Sequence, residues 1–162
     1  MSQYKPAPEW QVEQWFNTDR PLSLASLRGK VVVLHAFQML CPGCVSHGVP
    51  QAERLHRLLK GEDAVVVGLH TVFEHHAAMT PVALEAFLHE YRITHPVGVD
   101  TPNPRSHVPA SMRLYGFEGT PTLVLIDREG RIRHQALGGI DDLAVGFMLG
   151  RLLAETAAAA GR

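Results

Sequence analysis

The stretch Val31-Val32-Val33-Leu34-His35-Ala36-Phe37-Gln38-Met39-Leu40-Cys41-Pro42-Gly43-Cys44 runs from an almost unbroken apolar segment into both cysteines of the chain. Residues 31–37 are too continuously apolar to be half exposed, so they are expected to form a strand covered on both faces, as parallel strands are. Beyond the cysteines, Ala52, Leu55, Leu58 and Leu59 recur at helical spacing, and Gly61 supplies the stop. The order is therefore strand, Cys-x-x-Cys, helix.

The same reading extends outward in both directions. Residues 1–8 form an irregular arm that leads into a strand near Trp10 to Phe16, and residues 21–29 read as a short strand and turn. Downstream, Ala64 to Leu69 is a second buried strand. Thr80-Pro81 opens a helix with Leu84, Phe87, Leu88 and Tyr91 on its apolar face. His95 to Val99 is a third strand, followed by a proline-rich loop, a helical turn from Met112 to Tyr115 and a strand over Leu123 to Ile126. Asp127 to Gly130 turns the chain into a hairpin partner over 131–137. Asp141 then caps a last helix with Leu143, Phe147 and Leu152 inward, and the tail 157–162 frays. Strands alternating with helices and closed by a hairpin predict an α/β fold, a central mixed sheet with helices on both faces. No linker or repeat divides the chain, so residues 1–162 are expected to form one domain.

Composition narrows the function. With 46% apolar and 19% charged residues, this is the make-up of a globule able to bury its own core. A formal charge of −1 gives no reason to expect nucleic acid or an anionic membrane as partner. The first residues lack a basic segment followed by an apolar one, so the chain is expected in the cytoplasm. Ten histidines make the charge sensitive to pH near 6.

Cys41 and Cys44 admit three readings. As a structural staple, so short a loop gives only about 2 kcal/mol, which a domain of this size does not need. As a metal clip, Met39-x-Cys41-x-x-Cys44 is similar to the loop of small copper chaperones, with His47 as a further donor, and soft sulfur suits Cu(I). A structural zinc site would want four ligands, and no second cysteine pair exists. As a redox pair, Cys41 at a helix N-terminus is favoured as thiolate, and Cys44 one turn on can resolve a mixed disulfide. Pro42 pre-sets the first turn and Gly43 leaves room for substrate. No step of this chemistry implies a cofactor or a resident metal.

Leu27-Arg28-Gly29-Lys30 before the strand, Cys41-Pro42-Gly43-Cys44 after it, Gly119-Thr120-Pro121-Thr122 and Asp127-Arg128-Glu129-Gly130 together resemble the thioredoxin superfamily, closest to its TlpA-like and redoxin branch. The resemblance implies a thiol–disulfide oxidoreductase with Cys41 attacking and Cys44 resolving. Pro121 would be cis, and the backbone of Thr120 would face an extended substrate beside Pro42 and Gly43. The implied partners are a protein or small-molecule disulfide and an upstream thiol reductant. Three departures stand out. Leu40 replaces the usual tryptophan. His35 occupies the position of thioredoxin's buried acid, where a neutral imidazole can relay a proton to or from Cys44. Pro50 falls one residue later than in relatives, which predicts a bulge in the helix. The proline and threonine of peroxiredoxins are missing ahead of Cys41, so a thiol peroxidase is the runner-up, with a Cu(I)-binding module behind it. His70, Glu74, His75 and His76 read as a polar loop near the rim and are assigned to no site.

Overall fold

The computed structural model describes residues 3–155; the expected fraying of 157–162 lies outside them. Six strands form one sheet in the order β1-β4-β3-β2-β5-β6. They are β1 (Val12–Phe16), β2 (Val31–Phe37), β3 (Ala64–His70), β4 (Val97–Asp100), β5 (Thr122–Ile126) and β6 (Ile132–Leu137). β2 pairs parallel with β3 and antiparallel with β5, and β3 pairs parallel with β4, so the sheet is mixed. All seven residues of β2 are buried, as the unbroken apolar run requires. The arm lies along the opposite end of the hairpin: Pro6 bridges Arg131, and the Ala7 N–H donates to the Gly130 carbonyl at 2.8 Å.

The helices are α1 (Val49–Leu58), α2 (Pro81–Glu90), α3 (Ala110–Tyr115) and α4 (Asp142–Ala154). Alternation along β2 divides the core. Val31 and Val33 meet Ala52 and Leu55 of α1 and Val145, Leu149 and Leu152 of α4. Val32, Leu34 and Ala36 meet Met112, Tyr115 and Phe117 at and after α3, together with Trp10 just before β1. Phe37 continues the first face toward Leu84 and Leu88 of α2. Thr80 caps α2 as expected, its hydroxyl accepting from the Ala83 N–H at 3.2 Å. Gly116 ends α3 in the left-handed region at φ 67°, a conformation that costs glycine little.

Several expected contacts are not made. Residues 21–29 form a single 3₁₀ turn at Ala25–Leu27 and no strand. The Glu9 carboxylate accepts from the N–H groups of Leu24 and Ala25, and Ser23 and Ser26 bond each other's backbone. Those local bonds leave nothing for a ladder. Leu58 is 74% exposed and Tyr91 54%, with Tyr91 stacked on Phe87. On α4, Leu143 and Phe147 are 83% and 67% exposed, while Val145 and Leu149 join Leu152 inside. Apolar residues surround α4, so periodicity alone could not choose its inner face. Among the described residues, no helix is long and apolar enough to cross a membrane.

Asp141 Oδ1 accepts from the N–H groups of Leu143 and Ala144 at the start of α4. Replacing it by alanine is expected to lower unfolding stability by about 1 kcal/mol, read as a shift of the urea midpoint at constant slope.

Candidate active site

β2 delivers the chain to a turn in which the Cys41 N–H donates to the Gln38 carbonyl at 3.3 Å. A helix starts there, with the Val45 N–H bonded to the Cys41 carbonyl at 3.0 Å. Cys41 and Cys44 are joined as a disulfide with their Cα atoms 5.2 Å apart. The two sulfurs are unequal. Cys44 is fully buried, whereas Cys41 is half-buried and receives the Cys44 N–H at 3.2 Å. That difference suits an outer, attacking thiol and an inner, resolving one.

The wall opposite the disulfide is the Thr120–Pro121 peptide, which is cis. Its Thr120 carbonyl oxygen lies 3.5 Å from Cys41 Sγ. Two glycines let the helix settle onto this loop. A Cβ on Gly43 would touch Pro121 Cδ at 3.4 Å; one on Gly48 would lie 2.6 Å from His35 Cε1 and 2.9 Å from Pro121 Cβ. Between them the helix widens into a π-turn over Cys44–Gly48, closed by the Val49 N–H donating to the Cys44 carbonyl five residues back. This is the bulge expected from the late Pro50, whose missing N–H would interrupt the ladder at that point.

His35 lies beneath that turn, 2% exposed, on the sheet face that meets α1. Its ring stacks on Phe37 with centroids 5.4 Å apart, and its Nε2 is buried without a hydrogen-bond partner. Burial, with smaller contributions from His95 and His47, lowers its pKa to about 3, so the ring is neutral. Burial likewise lowers His70 to about 4, and its Nε2 accepts from the Met39 N–H at 3.3 Å.

Gln38 gave no local signal in the sequence, yet it ties the site together. It is 1% exposed; its amide NH₂ donates to Thr120 Oγ1 at 3.4 Å, and its carbonyl accepts from the Phe73 N–H at 3.2 Å. Leu40, in the usual tryptophan position, is 57% exposed on the rim with Pro42 and Gly43. His47 is half-buried and hydrogen-bonds the Ile140 carbonyl at 2.8 Å. Met39 packs beneath the loop against Cys44, Val49 and Phe37. Glu74, His75 and His76 are exposed while His70 is buried at Met39, so those four do not converge. Among the described residues, no three of His, Cys, Asp or Glu are grouped as a metal would need.

A family profile described as Redoxin matches residues 4–145. The chain belongs to the redoxin family. Its fold is that of a crystal structure of a thioredoxin-like superfamily protein, 53% identical, with a TM-score of 0.91 over 95% of this chain and 99% of the other. It is similarly close to a thiol-disulfide isomerase from Corynebacterium glutamicum, 51% identical, TM-score 0.89, covering 93% of this chain and 97% of that one. The thiol:disulfide interchange protein DsbE of Allochromatium vinosum is 26% identical over 137 residues, 85% of this chain and 67% of the relative. The redoxin spans 17% of the length of another relative, Protein DipZ of Mycobacterium bovis, at 28% identity over 126 residues. With this fold and a bonded Cys-x-x-Cys pair, the chain carries the chemistry of a thioredoxin-like thiol–disulfide oxidoreductase.

Two imidazoles buried neutral tie stability to pH. Unfolded histidine titrates near 6.5, above the folded values of about 3 and 4. The stabilisation is therefore complete above pH 6.5 and lost as pH falls through that value toward the folded ones. Between pH 6.5 and 5 each group should cost about 2 kcal/mol, hence about 4 together. Denaturant titrations at pH 7 and 5 should show this loss, and a His35→Asn variant should show about half of it.

Proposed function

We propose that this redoxin transfers two electrons from the Cys41–Cys44 dithiol to the disulfide of a protein or small molecule, and that a separate thiol reductant restores the pair. One observation carries the reading: the more accessible sulfur lies against the cis Thr120–Pro121 peptide with its buried partner behind it. The Cys41 thiolate attacks one substrate sulfur and the other leaves as a thiolate. Cys44 then loses its proton and attacks Cys41 Sγ, which releases the second substrate sulfur and closes the Cys41–Cys44 bond. Sulfur, electrons and protons balance without a cofactor. His35 is the proton acceptor in the second step, its unpartnered Nε2 lying beneath the turn that begins at Cys44.

Pro42, Gly43 and Thr120 border the reacting sulfur; Pro121 supports Thr120 from below, itself buried against Gly43 and Gly48. In a cytoplasm that keeps thiols reduced, the direction is reduction of the partner. The names of the relatives, thiol:disulfide interchange protein and thiol-disulfide isomerase, support the reaction class.

Insulin reduction driven by dithiothreitol should be accelerated by the protein and fall to background in Cys41→Ser. Cys44→Ser should instead accumulate a mixed disulfide visible by mass under non-reducing conditions. Full reductase activity in Cys41→Ser overturns the mechanism, and turnover of hydroperoxide in place of disulfides would assign a peroxidase.

A further inference from the structure

Behind His35 lies a second buried group that the exchange steps above do not use. Glu53 of α1 and His95, just before β4, are 5% and 1% exposed. His95 Nδ1 and Glu53 Oε2 are 2.7 Å apart. The same carboxylate accepts from the backbone N–H and hydroxyl of Thr94 and, at 3.4 Å, from the His95 N–H; Arg57 stands 3.7 Å away. Burial alone would raise the carboxyl, but the donors from His95 and Thr94 outweigh it and hold Glu53 at about 2. Glu53 is therefore ionised across the working pH range.

The direction in which His95 points gives the pair its interest. Nδ1 is taken by Glu53, so Nε2 is the remaining ring nitrogen, and it lies 3.1 Å from where a Cβ on Gly68 would be. Gly68 is the register partner of His35 across the β2–β3 ladder. Phe37, on which His35 stacks, approaches the same empty Cβ position to 3.4 Å. A Cβ at 68, the position paired with His35, would press on Val97 at 3.0 Å as well as on the His95 ring; glycine leaves that space to them. His35 feels His95 electrostatically, as it does His47 from the turn above. The other titratable groups around this space are His70 beyond Phe37, and His56 and Arg57 on α1. His56 lies edge-on to His95, with centroids 6.0 Å apart, and lines an open cleft with Arg57 and Thr94.

We infer that His95, held by Glu53, is the resting place of the proton that leaves Cys44, with His35 as the group through which it passes. This rests on the reading of His35 as the acceptor. His35 by itself is a poor holder, because burial opposes its charged form and, among the described residues, no carboxylate bonds its buried Nε2. His95 has what His35 lacks: an ionised carboxylate 2.7 Å from its Nδ1. The proton moves from Cys44 Sγ to His35 and from His35 to His95 Nε2, leaving a thiolate at Cys44 free to attack Cys41 Sγ. No electrons move in this transfer, and His56 at the cleft offers the route back to water. Glu53 acts through His95 and is a positioning residue.

The test isolates the resolving step. Reduced protein is mixed rapidly with the disulfide of a chromogenic thiol, 2-nitro-5-thiobenzoate, in single turnover from pH 5 to 9; the first thiolate released reports the attack of Cys41 and the second the resolving attack of Cys44. Glu53→Gln keeps the shape and can bond Thr94 but removes the charge. It should slow release about tenfold near pH 6 and shift the profile upward, with the attack of Cys41 unchanged. His95→Gln should do the same. Thr94→Val, which removes a Glu53 donor but leaves the pair, should release like the parent protein and so reports any merely structural effect. Should Glu53→Gln fold poorly by circular dichroism, His95→Gln decides. Release at the parental rate and pH profile in the folded variants overturns the inference. If His35→Asn is slow while they are normal, the relay alone fails; if His35→Asn is also normal, His35 is not the acceptor.

Discussion

The contact between the first helical turns after β2 and the cis Thr120–Pro121 loop is the constraint from which the rest of this redoxin follows. Backbone and proline ring approach so closely that a side chain at 48 would overlap both Pro121 and His35, and one at 43 would press on Pro121. That approach sets Cys41 Sγ against the Thr120 carbonyl and drives Cys44 fully inside. The unequal exposure of two cysteines three residues apart is thus a consequence of packing. Widening the helix over Cys44–Gly48 is part of the same fit, since the extra residue lets Pro50 take its place without leaving the ladder broken at random.

The interior that receives this helix is polar where the rest of the core is aliphatic. His35, His70 and His95 surround Phe37 and Gly68, and Glu53 stands behind them. Burying such groups is expensive and seldom improves stability over an apolar core. The structure handles the cost in two ways. His35 and His70 stay neutral, and His95 has a carboxylate partner. Stability alone gives no reason to gather them beneath a disulfide.

What the sequence made legible follows from how local each signal is. The unbroken run of β2 implied burial on both faces, and the strand–Cys-x-x-Cys–helix order with Thr120-Pro121 implied the fold and the two sides of the site. Even the π-turn was readable from a proline one residue late. Helix faces were harder. α4 is apolar around most of its circumference, and only the sheet it packs on distinguishes Val145 from Leu143. The residues that tie the site together were the least visible. Gln38 bonds residues 35 and 82 positions away, and Glu53 meets His95 across 42. A single glutamate on α1 reads as an exposed position until the fold brings Thr94 and His95 over it.

The substitution of histidine for an acid at position 35 is then less isolated than it first looks. A carboxylate directly beneath the sulfurs can take a proton and hold it, because its neutral form is the one burial favours. An imidazole in that place has the opposite preference, since protonation creates a buried charge. A chain that keeps histidine there gains a proton acceptor only if the charge has somewhere else to settle. Here the carboxylate is found one layer back, on α1, with a second imidazole in front of it and a glycine, paired with His35, leaving space for that ring. In the proposed relay, acid, imidazole and imidazole in series divide the task that one buried acid does alone, and each needs the others in place for the arrangement to be useful.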